Sequence, residues 1–174
     1  MEHAMPGQWF SKRGEPVFHS AAGPGHHRRL SGFARVLACA FALSGGVALA
    51  EEQTFGDYTV HYQAVNSTFL TPEIAEQYDI VRSERRAFLN VAVLRNETDG
   101  STTPVTATLG GVKRNLLQQS ETIEFSQVRE GEAIYYIGQF DFSEGEVLRF
   151  TLEVSPEGHE PAHSIEWTTQ LYRN

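Results

Sequence analysis

Residues 133–154 read A-I-Y-Y-I-G-Q-F-D-F (133–142), S-E-G-E (143–146) and V-L-R-F-T-L-E-V (147–154), and they decide the fold. Leu148, Phe150, Leu152 and Val154 alternate with Arg149, Thr151 and Glu153. That period of two is what a pleated strand with one buried face produces, and a helix does not. The first run is apolar on most positions, and the glycine-containing Ser143–Glu146 turn joins the two as a hairpin.

The same pattern continues in both directions. Upstream, Tyr58, Val60, Tyr62 and Ala64 alternate with Thr59, His61 and Gln63. R-A-F-L-N-V-A-V-L-R (86–95) is apolar at nearly every position, as a strand buried on both faces would be. A turn follows at Asn96–Gly100, and Val105, Ala107 and Leu109 then alternate with threonines up to Gly110-Gly111, read as a strand end. Ile123 and Phe125 form one further strand before the turn at Glu130-Gly131-Glu132. Downstream, a polar loop at 155–162 leads to Ile165, Trp167, Thr169 and Leu171. Short strands at this spacing predict an all-β domain. The expected form is an immunoglobulin-like β-sandwich of seven to eight antiparallel strands, with one short helix inserted after the first strand. That helix lies at Thr71–Tyr78, which opens with a Thr cap, Pro72 and Glu73. At about two turns it must dock on the sheet, through Phe69, Leu70, Ile74 and Tyr78.

The N-terminus predicts export. A cationic run at 26–35 precedes fifteen apolar or small residues (36–50) ending in Ala48-Leu49-Ala50. A basic region, a short apolar region and an A-x-A site are the parts of a cleavable signal peptide. The apolar stretch falls short of the roughly 20 residues needed to span a bilayer. Val36-Leu37-Ala38-Cys39 is a poor lipoprotein box, because Leu37 is bulky and Arg35 cuts the apolar run short. The expected organisation is an N-terminal extension (1–25), which a start assigned too early would explain, a signal peptide (26–50) cleaved after Ala50, and one domain (51–174) released into the periplasm.

Residues 51–174 hold 20 Asp and Glu against 9 Lys and Arg, a formal charge of −11. Nucleic acid and anionic lipid are bound through clustered Lys and Arg, so a uniformly acidic surface repels both. The one cysteine, Cys39, leaves with the signal, which removes disulfides and thiolate chemistry from the domain. No second apolar stretch approaches membrane-spanning length.

F-G-D-Y-T-V-H-Y-Q-A-V-N-S-T-F-L-T-P-E-I-A-E-Q-Y (55–78) with V-R-S-E-R-R-A-F-L-N-V-A-V-L (81–94) resembles a family of small exported proteobacterial proteins known as domain of unknown function 4426. The likeness is most specific at Asn66–Leu70, with Pro72, Tyr78, Arg82 and Asn90 at matching places, and it spans essentially all of residues 51–174. The resemblance implies a periplasmic, Gram-negative setting. It implies no catalytic residues.

His159-Glu160-Pro161-Ala162-His163 spells the zinc-protease pattern H-E-x-x-H. That chemistry needs both histidines on one helical face, and Pro161 opposes helix at this point. The pair is therefore a weak metal candidate, and no cofactor is implied. His61 is a lone strand histidine with no nucleophile constellation around it. The better candidate is the long connection Asn66–Arg86, with Asn66, Thr68, Arg82, Arg85 and Arg86 as binding residues for an anionic group or a carboxylate of an envelope partner. The competing reading has these arginines paired with Glu73, Glu76, Asp79 and Glu84. The expected function is a non-enzymatic interaction or ligand-binding module. A small metal-dependent or hydrolytic enzyme and a sheet-edge chaperone are the alternatives.

Overall fold

The computed structural model of the protein describes residues 50–173 apart from Glu160. The expected extension (1–25) and all but the last residue of the expected signal peptide (26–50) lie outside the described residues. The described residues form ten strands: β1 (Glu51–Phe55), β2 (Tyr58–Asn66), β3 (Arg86–Asn96), β4 (Thr102–Pro104), β5 (Ala107–Asn115), β6 (Ser120–Ile123), β7 (Phe125–Glu130), β8 (Ala133–Asp141), β9 (Glu146–Pro156) and β10 (His163–Leu171). A 3-10 turn at Ser67–Phe69 and a helix α1 (Pro72–Gln77) lie between β2 and β3.

The strands build two antiparallel sheets. One runs β1-β2-β3-β8-β7, with β4 also paired to β3, and the other runs β10-β9-β5-β6. Between them lies the core that the period-two alternation requires. Val60, Leu89, Val91, Val93 and Phe140 come from the first sheet, and Phe150, Leu152, Val154, Ile165 and Trp167 from the second. Phe150 stacks on Trp167 at 5.0 Å and meets Phe140 edge-on at 5.1 Å, so the aromatic contacts tie one sheet to the other. Burying each such side chain contributes about 1.5–3 kcal/mol, and a core of this size needs no disulfide.

The all-β sandwich agrees with the sequence reading, and its details differ in three places. First, E-E-Q-T-F (51–55) pairs with β2 and adds a strand ahead of the expected first one, so the helix follows the second strand. Second, the run expected as one strand around Ile123 and Phe125 breaks at Glu124. Residues before it pair with β5 in one sheet and residues after it pair with β8 in the other. Third, β5 passes straight through Gly110-Gly111 to Asn115. Gly111 is not a turn signal there. A Cβ on it would lie 2.8 Å from the Phe125 ring, so its missing side chain makes room for Phe125.

The unbroken apolar run of β3 has a cause in a second layer. On the outer face of the first sheet, Leu70, Ala75 and Ile80 from the α1 segment bury against Phe88 and Ile137. Thr71 caps α1, its hydroxyl accepting from Ile74 N at 3.4 Å, and Pro72 sits in the first turn. Glu73 answers with a hydrogen bond to its own backbone N–H and one with Thr71, which hold its carboxyl below the usual range. Phe69, expected to dock, instead points to solvent at 59% exposure, and Ala75 and Ile80 dock in its place. The space beneath the helix is therefore filled by apolar side chains rather than open as a groove.

Candidate functional site: a cationic cleft at the end of the sandwich

Strand pairing gathers Arg85 and Arg86 at the start of β3, Lys113 near the end of β5, and Arg173 just after β10 around one cleft of about 660 Å³. Val81, Phe142 and Leu148 supply its apolar wall, and Glu121, Asp141 and Glu146 its acids. The cleft opens where the two sheets separate, because β8 ends at Asp141 and β9 begins at Glu146.

Its cations differ in how far they are satisfied. Arg86 Nε donates to Asp141 Oδ1 at 3.0 Å. Lys113 is buried, lies 5.4 Å over the Phe140 ring, pairs with Glu121 Oε2 at 2.9 Å and donates to the Asp141 carbonyl. The backbone N of Arg173 donates to Glu144 Oε2 at 2.7 Å, while its Nε is buried without an acceptor among the described residues. Arg85 is anchored through its backbone alone. Its N–H donates to Ser83 Oγ at 3.2 Å and its carbonyl accepts from Phe142 N at 2.9 Å. No acceptor faces its guanidinium among the described residues. A buried donor without a partner costs about 1–3 kcal/mol, so Arg173 Nε holds an unmet demand for an acceptor, while Arg85 is exposed to solvent.

A smaller hollow of about 470 Å³ shares Ser83 with the cleft and is lined by Thr68, Phe69, Arg82 and Glu84. Here the sequence-predicted residues divide. Arg82 Nε donates to the Leu70 carbonyl at 2.9 Å and its terminal nitrogen to the Thr68 carbonyl at 3.3 Å. Asn66 is buried and donates to the Tyr172 carbonyl at 2.6 Å. Ser67 Oγ donates to the Ser83 carbonyl at 3.0 Å and accepts from Ser83 N at 2.9 Å. These bonds fasten the helical segment to itself and to the chain end. Thr68 Oγ1 is buried without a partner among the described residues. Of the five expected binding residues, the structure brings Arg85 and Arg86 into the cleft, leaves Arg82 and Thr68 beside it, and uses Asn66 as a tie. None of the ion pairs expected with Glu73, Glu76, Asp79 or Glu84 forms among the described residues; Arg86 pairs with Asp141 instead.

Lys113 and Arg173 escaped the sequence reading. Lys113 carried a signal, since it keeps the inward phase of Val105, Ala107, Leu109 and Gly111. Arg173 carried none, because only the pairing of β10 with β9 brings it to the cleft.

The histidine candidates lie elsewhere. His159 sits in the turn after β9 and His163 opens β10, so the two share no helical face. His163 stacks on Phe55 at 4.1 Å and its Nε2 lies 3.3 Å from Gln53 Nε2, while the His159 ring is 5.2 Å from that of Tyr58. His61 Nδ1 lies 3.4 Å from Glu52 Oε2 across β1 and β2. Among the described residues, no three of His, Cys, Asp and Glu come close enough together to hold a metal ion.

No curated protein matches the chain. A crystal structure of a DUF4426 family protein from Pseudomonas aeruginosa PAO1 is 34% identical, covers 72% of this chain and 96% of its own, and superposes with a TM-score of 0.62. A copper-bound variant of FetP from uropathogenic Escherichia coli strain F11 is 8% identical, covers 72% of this chain and 96% of its own, and gives a TM-score of 0.53. FetP of the same strain, expressed in the periplasm of E. coli BL21(DE3), is 8% identical over 72% and 95%, at a TM-score of 0.52. At that identity the likeness to FetP is one of fold alone. The family described as domain of unknown function matches residues 52–174, the span holding both sheets and the cleft, and the chain belongs to that family, DUF4426.

Proposed function

We propose that the domain is an exported, non-enzymatic binding module that receives an anionic group in the cleft between the ends of its two sheets. The observation that carries this reading is the Arg173 Nε buried there without an acceptor among the described residues, beside the exposed Arg85 guanidinium, which no protein acceptor engages among them. A phosphate or carboxylate offers planar or tetrahedral oxygens that guanidinium forks bind with charge-assisted hydrogen bonds. Lys113, held in place by Glu121 and Asp141, adds a fixed positive charge, and Val81, Phe142 and Leu148 accommodate an apolar portion. The signal-like N-terminus supports export to the periplasm. FetP binds copper in one of the compared structures. That property is stated of FetP alone; in this chain His159 and His163 lie against aromatic rings and His61 lies beside Glu52.

Calorimetric titration with inorganic phosphate, sulfate and small carboxylates tests the reading. The parent should bind at least one of these, and Arg85→Ala with Arg173→Ala should bind at least about tenfold more weakly, as the loss of one charge-assisted hydrogen bond predicts. Equal binding by parent and variant, or none by either, would refute it. Metal-dependent hydrolysis, the enzymatic alternative, would show as activity lost with a chelator.

A further inference from the structure

Five large apolar side chains stand exposed among the described residues: Phe69, Val81, Leu116, Leu117 and Tyr172. All five lie at the cleft end of the sandwich. Val81 lines the cleft and Phe69 the hollow beside it. Leu116 and Leu117 sit between the cleft residues Asn115 and Gln119, and Tyr172 precedes Arg173. Exposed apolar groups scattered singly mean little, whereas a cluster at one end marks an interaction surface.

The two leucines are presented by a built structure. They form the tip of the β5–β6 hairpin at 75% and 80% exposure. Asn115 Oδ1 accepts from Leu117 N and Gln119 N, both at 3.0 Å, and Asn115 Nδ2 donates to Gln119 Oε1 at 2.8 Å. Gln118 N donates to the Asn115 carbonyl at 3.0 Å, with Gln118 in the left-handed region at φ 64°. One asparagine thus satisfies the turn and holds both leucines outward, away from either core cluster.

Charge is segregated in the same way. Five of the nine Lys and Arg of residues 51–174 line the cleft and the hollow beside it: Arg82, Arg85, Arg86, Lys113 and Arg173. They share that lining with four acids, Glu84, Glu121, Asp141 and Glu146. With a domain total of −11, the lining of the cleft and hollow carries +1 (five cations, four acids) and the rest of the domain −12. Whole-chain charge predicts repulsion from anionic lipid; its distribution leaves one end that can approach while the body is held away.

From this we infer that the cleft end docks on an anionic bilayer surface. Leu116 and Leu117 enter the boundary between headgroups and acyl chains, and Arg85, Arg114 and Arg173 face lipid phosphates. Adjacent leucines on a convex tip suit a deformable acyl layer, whereas a protein would need a matching pocket. The mode is peripheral, consistent with the lack among described residues of any helix long and apolar enough to cross a membrane. The inference rests in part on the cleft reading, since both use its cations.

Flotation of the chain from Glu51, which contains both sheets and the whole core, tests it. The vesicles are phosphatidylglycerol with phosphatidylethanolamine, against phosphatidylcholine, at about 0.1 M salt. The expected result is binding to the anionic vesicles alone. Leu116→Ser with Leu117→Ser should weaken it about tenfold or more without lowering the melting temperature, and Arg85→Glu should weaken it most at low salt. The leucine variant should still bind inorganic phosphate. No preference for anionic vesicles, or full binding by the leucine variant, would overturn the docking proposal. If phosphate binds while vesicles do not, docking alone fails and the leucines await a protein partner; if neither binds, the cleft reading fails with it.

Discussion

Gly138, with Gly110 as its control, offers a stringent test of how the sandwich closes. A Cβ on Gly138 in β8 would stand 2.5 Å from Ile123 Cγ2 and 2.8 Å from Phe125 Cε1. Neither neighbour yields easily, because Ile123 is almost fully buried and Phe125 is packed against the core. Two effects of Gly138→Ala oppose each other. Removing glycine from a strand interior gains about 0.5–1 kcal/mol of backbone entropy, while forcing a methyl into a filled site costs about 1–3 kcal/mol. The clash lies below any real Cβ contact distance, so overpacking wins and the net loss is about 1–2 kcal/mol. For a domain of this size that lowers the melting temperature by roughly 4–8 °C. Gly110→Ala is the internal control, since its nearest neighbour would be Glu153 Cβ at an ordinary 3.8 Å. It should be neutral or stabilising by a few tenths of a kcal/mol. Thermal unfolding by circular dichroism reads both. Adding Phe125→Leu to Gly138→Ala should recover part of the loss. The reasoning is refuted if Gly138→Ala melts with the parent, or if Gly110→Ala is equally damaging.

Other consequences follow from the ties around the helical segment and the turns. Asn66→Ala removes a buried 2.6 Å bond to the Tyr172 carbonyl and should cost about 1–2 kcal/mol in urea unfolding. The same variant should loosen the chain end, seen as faster amide exchange of Arg173. Thr71→Ala should cost about 1 kcal/mol, the usual value of a lost N-cap. Asp99 accepts from Ser101 N at 2.9 Å and Ser101 Oγ at 2.6 Å, and these bonds hold its carboxyl below the usual Asp value. A depressed carboxylate stabilises above its unfolded pKa, and that contribution fades as pH falls through the lower folded value. Asp99→Asn should therefore flatten the acid limb of stability against pH below about 4, and an unchanged limb would exclude this turn as a contributor.

How much was legible in the sequence depended on how local the physics was. Alternation in residues 147–154 and 58–64 reports directly on one buried face, and both strands stand where it places them. The Thr71 cap and Pro72 mark the start of α1 for the same reason. Glu124 gives no such signal, because a strand that switches sheets keeps its alternation while changing partners. Gly110-Gly111 misled because glycine marks turns and close approaches alike, and only the Phe125 ring tells which. For the cleft, Arg85 and Arg86 were visible as a basic cluster in an acidic chain. Arg82 sits in the same cluster, yet its guanidinium holds the Leu70 and Thr68 carbonyls, which composition cannot reveal. The leucine pair 116–117 directly follows Lys113 and Arg114 in the chain, whereas it meets Arg173 only through the pairing of β5 with β9 and of β9 with β10.

Titration of isotope-labelled residues 51–174 with inorganic phosphate, followed by amide and arginine side-chain NMR, tests the binding claim most directly. Saturable shifts confined to Arg85, Lys113, Asp141 and Arg173 are the expected result. Shifts absent throughout, or centred on His61 and the His159–His163 loop at the other candidate site, would contradict it.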